Sequence, residues 1–326
     1  MNASVIIPTY NRLNSLRELL ISLANQSYPI EQFEVIVVDD GSTDNTATIV
    51  KEKYPLNLRY VWQTNQGDAV ARNTGTEQSQ AELLVFLDDD ILVEADYLSY
   101  LLKEHNESAP KRIVVGTEYL WLKDTPPFNH PLSIQEKANN KSSLAPLTFV
   151  DVCSNNMSLR RRAYYAIGKM QSLDFPGSSI WCDVDFAYRA YLQGFEFYRS
   201  TKAICYHRDY TVKTLSIAAK RQHDAAYRAV TLFQKYPDLL SHIPMFRDKT
   251  PITWHQDSFG LVVRKLARHV NSSQPILRGM EKLVRVIEQY YPISILQTPL
   301  SRWIIGGYMF QGYRKGLRDF GPVIKS

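Results

Sequence analysis

Leu83-Leu84-Val85-Phe86-Leu87-Asp88-Asp89-Asp90 sets an apolar run directly against three consecutive carboxylates. The run has the length and make-up of a fully buried strand, and the acids stand where it must end. Two carboxylates about 4 Å apart repel by roughly 4 kcal/mol at an effective dielectric of about 20, so the cluster needs a cation. Magnesium and manganese take oxygen ligands, usually one or two carboxylates plus water and substrate phosphates. The triplet therefore predicts a metal that also holds a phosphorylated ligand. Helix capping competes with this reading: one Asp could cap a helix starting near Glu94, but three in a row exceed what a cap requires.

Upstream, strand and helix signals alternate. Ser4-Val5-Ile6-Ile7-Pro8 reads as a buried strand, and Leu13, Leu16, Leu19, Leu20 and Leu23 then recur at helical spacing up to Asn25. Phe33 to Val38 is a second β-branched run, broken by Asp39-Asp40-Gly41-Ser42. A helix from about Asp44 to Tyr54, a strand at Leu58 to Trp62 and a helix from about Gly67 to Ser79 complete a βαβαβαβ series. Apolar strands separated by helices predict an α/β fold whose central sheet is mostly parallel and flanked by helices. Ligands of such sheets sit beyond the carboxyl ends of the strands. Pro8-Thr9-Tyr10-Asn11, Asp39-Asp40-Gly41 and Asp88-Asp89-Asp90 all fall on that shared edge, which is the expected site.

Downstream the pattern loosens. Ile113 to Tyr119 and Leu147 to Val150 look like strands, and the polar stretch 123–145 has the length of a lid. From Thr211 helical periodicity dominates, with breaks expected at Pro237, Pro244, Pro251, Pro275, Pro292 and Pro299. The expected organisation is a catalytic domain over 1–210 and a basic helical extension over 211–326.

The net charge of +5 conceals a split: residues 1–200 carry 18 Lys+Arg and 25 Asp+Glu, whereas 201–326 carry 20 and 8. A basic carboxy-terminal part suits an anionic surface such as a membrane or a lipid-phosphate carrier, or is a solvated face with no partner. No nucleic-acid-binding motif is present, so nucleic acid is not an expected partner. Trp303, Tyr308, Phe310 and Tyr313, interleaved with Arg302, Arg314, Lys315 and Arg318, would be either the membrane-facing stripe or core. No stretch of 18 apolar residues suggests a membrane span, and Met1-Asn2-Ala3 leads into a strand without a signal-peptide pattern. The mature chain is thus expected to start here. Cys153, Cys182 and Cys205 neither pair evenly nor show metal-site spacing, which fits a reducing cytoplasm.

Val5-Ile6-Ile7-Pro8-Thr9-Tyr10-Asn11-Arg12, Val37-Val38-Asp39-Asp40-Gly41-Ser42-Thr43-Asp44, Ala71-Arg72-Asn73-Thr74-Gly75 and Phe86-Leu87-Asp88-Asp89-Asp90, in that order, resemble the family 2 glycosyltransferases. The resemblance covers about residues 4–210. It implies the A-type nucleotide-diphosphosugar transferase fold and an inverting reaction. Carried over by position, it implies that Pro8, Thr9 and Tyr10 line the base and ribose pocket and that Asp40 accepts a hydrogen bond from the base. An acceptor-only carboxylate suits the N3 hydrogen of uracil. Asp39 reads better as a turn residue before Gly41. By the same resemblance Arg72 lies near the donor, Asp88 faces its ribose or sugar hydroxyls, Asp89 is a spacer and Asp90 binds the metal, Mn2+ or Mg2+.

A second constellation is Trp181-Cys182-Asp183-Val184-Asp185-Phe186-Ala187-Tyr188-Arg189, followed by Gly194. It resembles the family segment in which an acidic pair opens a helix, and Asp183 matches the general base. Asp185 fits a helix-dipole role better. The position before the base is often acidic in this family; here it is Cys182. His207 ends the strand-like run Ala203 to His207 and is either a metal ligand or a structural histidine. Asn156, in Asn155-Asn156-Met157-Ser158, resembles the segment bordering the acceptor, or is part of a turn and cap.

The expected activity is transfer of a sugar from a nucleoside diphosphate donor, a UDP-sugar, to a hydroxyl on a carbohydrate or lipid-linked acceptor. The expected location is the cytoplasm, either free or peripheral at the inner face of the cell membrane. A nucleotide-sugar-binding protein without turnover and a sugar nucleotidyltransferase are the rivals. The latter lacks support, because Asn11-Arg12-Leu13-Asn14 contains no glycine for an activation loop.

Overall fold

The computed structural model describes residues 1–105, 110–120, 143–172, 180–208, 215–290 and 299–323. The stretch expected to act as a lid falls almost wholly outside these residues, as does Pro292. The chain divides into two compact units, Met1–Asp209 and Tyr210–Ser326.

In the first unit β1 (Ala3–Thr9), β2 (Phe33–Asp39), β3 (Leu58–Trp62) and β4 (Leu83–Leu87) run parallel in the order β3-β2-β1-β4. Every residue of β1, β2 and β4 is buried, as continuous apolar runs in a doubly covered sheet require. From β1 the chain winds to β2 and β3 on one side, and it then returns to place β4 on the other. The loops leaving β1 and β4 therefore diverge, which opens a crevice at their carboxyl ends. Helix α1 (Leu13–Ala24) buries Leu16, Leu19, Leu20 and Leu23. Helix α2 (Asp68–Gln78) packs so closely that a Cβ on Gly75 would lie 2.5 Å from Ile6 Cγ2 and 3.2 Å from Val38 Cγ2.

Beyond β4 the sheet becomes mixed. β5 (Ile91–Val93), α3 (Tyr97–Glu104), β6 (Arg112–Leu120), β7 (Leu144–Pro146), β8 (Asn156–Arg160), α4 (Arg161–Ile167), α5 (Cys182–Leu192) and β9 (Glu196–His207) follow in the chain. The sheet continues β4-β8-β6-β9-β5, with β7 on β9, for nine strands among the described residues. β8 is antiparallel to β4 and β6, whereas β9 is parallel to β6.

Two local expectations fail. In place of a helix over 44–54 stands a 3-10 stretch, Thr46–Lys51. Thr46, Thr48, Ile49 and Val50 are β-branched, and the Asp44 carboxylate takes the Thr46 N–H and hydroxyl, so local hydrogen bonds outcompete the α-helix. Leu147 to Val150 is not a strand either. Asp151 accepts hydrogen bonds from the Thr148 N–H and hydroxyl and closes a 3-10 turn over Phe149–Asp151.

The second unit consists of α6 (Leu215–Lys235), α7 (Leu239–His242), α8 (Phe259–Asn271), α9 (Gln274–Tyr290) and α10 (Pro299–Phe320). Pro275 and Pro299 sit in the first turns of their helices, where a missing N–H costs nothing. The backbones of α6 and α10 meet at glycines: a Cβ on Gly316 would lie 2.5 Å from Tyr227 O, and one on Gly312 would collide with His223 O. Phe310 and Tyr313 are buried, with the Tyr313 ring 5.4 Å from Phe246, so these two rings belong to the core, while Trp303 and Tyr308 are half-buried. Among the described residues no helix is long and apolar enough to cross a membrane.

Candidate active site

A cleft of about 320 Å³ opens at the β1 and β4 ends, lined by Pro8, Thr9, Tyr10, Arg12, Asp40, Asp68, Asp88 and Asp89. Five of the residues singled out from the sequence thus share one wall: Pro8, Thr9, Tyr10, Asp40 and Asp88. The left-handed backbone at Asn11 (φ 55°) turns the chain out of β1. Its side-chain oxygen accepts from the N–H groups of Thr43 (2.7 Å) and Asp44 (3.2 Å), which fastens the β1 loop to the β2 loop.

Asp40 is held on three sides. Gln63 Nε2 (2.7 Å) and Gln66 N (2.9 Å) donate to Oδ1, and Gly67 N (2.8 Å) donates to Oδ2. A carboxylate accepts about four hydrogen bonds, so one acceptor position is left for a ligand. Asp39 belongs to the turn: it accepts from Ser42 N (2.7 Å) and the Tyr60 hydroxyl (2.5 Å).

Each carboxylate of the triplet has a cation. Arg72, on α2 and 1% exposed, pairs with Asp88 and, at 2.6 Å, with Asp68. Burial alone would lower the Arg72 guanidinium, but Asp88, Asp68 and Asp183 together raise it well above its ordinary value. Asp89 accepts from the Thr9 hydroxyl (2.7 Å) and Arg12 Nη1 (3.0 Å). Burial pushes Asp89 up to about 7 against the pull of Arg12 and Thr9.

Asp90 Oδ2 accepts from the same Arg12 Nη1 at 2.7 Å. Its Oδ1 is buried and has no hydrogen-bond partner, and His207 Nε2 lies 3.5 Å away. His207 Nδ1 meets Glu118 Oε1 at 3.0 Å, and Asn155 and Asn156 donate to Glu118 Oε2 at 2.6 and 3.0 Å. Burial would lower His207, but Asp90 and Glu118 overcome it and raise the imidazole to about 10.

These residues fit a divalent ion. An orphaned carboxylate oxygen faces an imidazole nitrogen whose other nitrogen is fixed by a carboxylate, the arrangement that orients a ligating histidine once a bound ion displaces the Nε2 proton. Among the described residues no group of three or more His, Cys, Asp or Glu forms a complete metal cage. Phosphate oxygens and water would have to fill the remaining positions, as is usual for Mg2+ and Mn2+.

Asp183 lies in the first turn of α5, after Trp181 in the left-handed region (φ 71°). The thiols of Cys153 and Cys182 approach its oxygens at 3.4 and 3.5 Å, and its charge reaches Arg72 and Asp88. Asp185 is fully buried and pairs with Arg189 at 2.8 Å, while Arg189 donates to the carbonyls of Ile167 and Lys169. The acidic pair therefore divides into a buried, structural Asp185 and a half-buried Asp183 within electrostatic reach of Arg72 and Asp88.

Cys153 also borders a second hollow of about 320 Å³, lined by Glu118, Asp151, Asn155, Asn156 and Arg199 among others. Asn156 is fixed there, its oxygen accepting from Gly116 N at 2.8 Å and its amide donating to Glu118. Arg12 and Glu118 were not singled out from the sequence. Their signals are slight: a basic residue just beyond Tyr10-Asn11, and one acid inside the run from Ile113 to Tyr119.

The sequence model of the family described as Glycosyl transferase family 2 matches residues 4–168. Validoxylamine A glucosyltransferase of Streptomyces hygroscopicus is 43% identical over 119 residues, 36% of this chain and 28% of that protein. The poly(ribitol-phosphate) beta-N-acetylglucosaminyltransferase TarS of Staphylococcus aureus is 45% identical over 102 residues, 30% of this chain and 18% of that protein. The match thus spans less than a third of either relative. Among solved structures, the mannosyltransferase PcManGT of Pyrobaculum calidifontis, in complex with GDP-Man and Mn2+, superposes with a TM-score of 0.63 at 19% identity, covering 98% of this chain and 87% of that one. TarS 1–349 in complex with UDP-GlcNAc superposes with a TM-score of 0.53 at 19% identity, covering 98% and 92%. At such identity the likeness speaks to the fold, a mixed sheet flanked by helices with further helices at the carboxy-terminal side.

Proposed function

The chain belongs to glycosyl transferase family 2, and on that premise we propose that it moves one sugar, with inversion, from a UDP-sugar to a hydroxyl of a carbohydrate or lipid-linked acceptor. The observation that carries this reading is the gathering of Arg72, Asp90 and Asp183 around Asp88, with Asp90 Oδ1 unsatisfied beside His207. The relatives named as sugar transferases, and the neighbours holding GDP-Man with Mn2+ or UDP-GlcNAc, support it.

Pro8, Thr9 and Tyr10 would seat the base and ribose, and the remaining acceptor position of Asp40 would take the N3 hydrogen of uracil. Asp88, held by Arg72, would meet hydroxyls of the donor, and Asn156 would border the acceptor. Asp90 and His207 would hold Mn2+ or Mg2+. A bound divalent ion neutralises charge developing on the diphosphate leaving group. Asp183 takes the proton of the acceptor hydroxyl as that oxygen forms a bond to the anomeric carbon. The bond from that carbon to the diphosphate oxygen breaks, and its electron pair leaves with the diphosphate. One displacement inverts the centre.

The test compares wild type with Asp183→Asn for sugar transfer and donor hydrolysis, with UDP affinity measured in parallel. A general base contributes about 10²–10⁴ in rate, so a loss of that size with UDP affinity held within a few-fold is expected. Equal rates would remove the base. A wild type that binds UDP-, GDP- and dTDP-sugars firmly but turns none over would be a binding protein.

A further inference from the structure

Two consecutive helices of the second unit carry apolar side chains outward. On α8, Phe259, Val263, Leu266 and Val270 are between 47 and 84% exposed, and steps of four, three and four residues place them on one stripe. The same helix turns Leu261, Val262 and Lys265 inward, where Lys265 Nζ donates to Asp257 Oδ2 (2.7 Å) and Pro251 O (2.9 Å). On α9, Ile276, Leu283 and Val286 are between 37 and 51% exposed, while Leu277 and Val284 are buried. Scattered surface leucines need no explanation, but a repeated outward stripe on successive helices marks an interaction surface.

The charge around the stripes selects the partner. Residues 210–326 carry 18 Lys+Arg against 7 Asp+Glu. Helix α8 contains no acid, and Arg264, Arg278 and Lys282 are exposed on the same two helices. A second copy of this chain would set one strongly basic unit against another. A nucleic acid would leave Phe259, Leu266 and Leu283 without apolar contact. An anionic bilayer satisfies both features, because acyl chains take the stripe and headgroup phosphates take the basic rim. Since no described helix is suited to crossing a membrane, the fitting mode is in the plane of the interface.

We propose that α8 and α9 are interfacial anchors that bind an anionic lipid surface through the Phe259-Val263-Leu266-Val270 and Ile276-Leu283-Val286 stripes. This binding is independent of the transfer chemistry and would stand if that reading fell. The full chain is tested by flotation with phosphatidylcholine vesicles containing about one-third phosphatidylglycerol, and with pure phosphatidylcholine. Wild type should float with the anionic vesicles and much less with the neutral ones. Phe259→Asp with Leu266→Asp should lower the bound fraction at least about tenfold. Arg264→Glu with Lys282→Glu should lower it several-fold on anionic vesicles only. Both pairs replace exposed side chains, so an unchanged melting temperature confirms that each variant is folded.

Wild type that stays unbound, or a Phe259→Asp/Leu266→Asp variant that floats like wild type, would overturn the proposal. So would a dimer, seen by light scattering without lipid, that the same variant abolishes. That result would give the stripes to a second copy of the chain.

Discussion

Arg12 Nη1 lies 2.7 Å from Asp90 Oδ2, and it reaches Asp89 Oδ1 at 3.0 Å with the same nitrogen. One guanidinium therefore offsets part of the charge of two buried carboxylates at the position where the charge of a bound ion would be felt. Arg12→Gln removes that compensation. Because Arg12 itself is partly exposed, the expected loss is about 1–2 kcal/mol, well below the cost of breaking a fully buried pair. Millimolar Mn2+ should narrow the deficit, since the ion takes over the neutralising role. A melting-temperature gap between wild type and Arg12→Gln that is the same with and without Mn2+ would contradict this account.

Asp90→Asn should weaken Mn2+-dependent UDP binding by at least about tenfold, or about 1.4 kcal/mol. Without metal the two proteins should bind UDP alike. Calorimetric titration with and without Mn2+ separates the cases, and equal affinity in Mn2+ would reject Asp90 as a ligand.

His105 makes a pH-dependent contribution of its own. Burial, reinforced by Arg160 and Arg112, lowers its imidazole to about 3. Ser158 Oγ donates to Val114 O (3.0 Å) and stands 2.9 Å from His105 Nε2, so the ring is neutral with Nε2–H donating to Ser158. Between pH 6.5 and about 3 the unfolded chain takes up a proton that the native state refuses. Native stability at this residue is thus full above about pH 6.5 and falls with pH, by up to about 1.4 kcal/mol per unit. His105→Gln should flatten the pH dependence of the urea midpoint across that window, and parallel curves would refute the assignment.

Gly75→Ala would push a methyl group to within 2.5 Å of Ile6 Cγ2 where α2 lies on β1. Overpacking of this kind costs about 1–3 kcal/mol, and it should appear as a lower urea midpoint with an unchanged slope.

The parallel half of the sheet was legible because β1, β2 and β4 are uninterrupted apolar runs, a pattern that doubly covered strands impose on any sequence. The acidic edge was legible for a related reason, since polar residues that abruptly end such runs must gather at one rim. Contacts between loops were not. Nothing local in Asp40 reveals that Gln63, Gln66 and Gly67 will clasp it, and nothing in Arg12 reveals its two carboxylates. Short elements also escaped, because side-chain hydrogen bonds at Asp44 and Asp151 decided them over residue propensity. Phe310 and Tyr313 have a composition that suits water, lipid or core equally, and only the packing of α6 against α10 chooses.

The glycine seam between those two helices has a consequence for synthesis. Helix α6 leaves the ribosome with Ala226, Ala229 and Val230 ready for burial, yet the last of the described helices must also emerge before Gly312 and Gly316 can close over it. Until then an apolar flank stays open to chaperones or to a neighbouring nascent chain. Translational pausing before residue 299 would lengthen that window and lower the yield of folded protein.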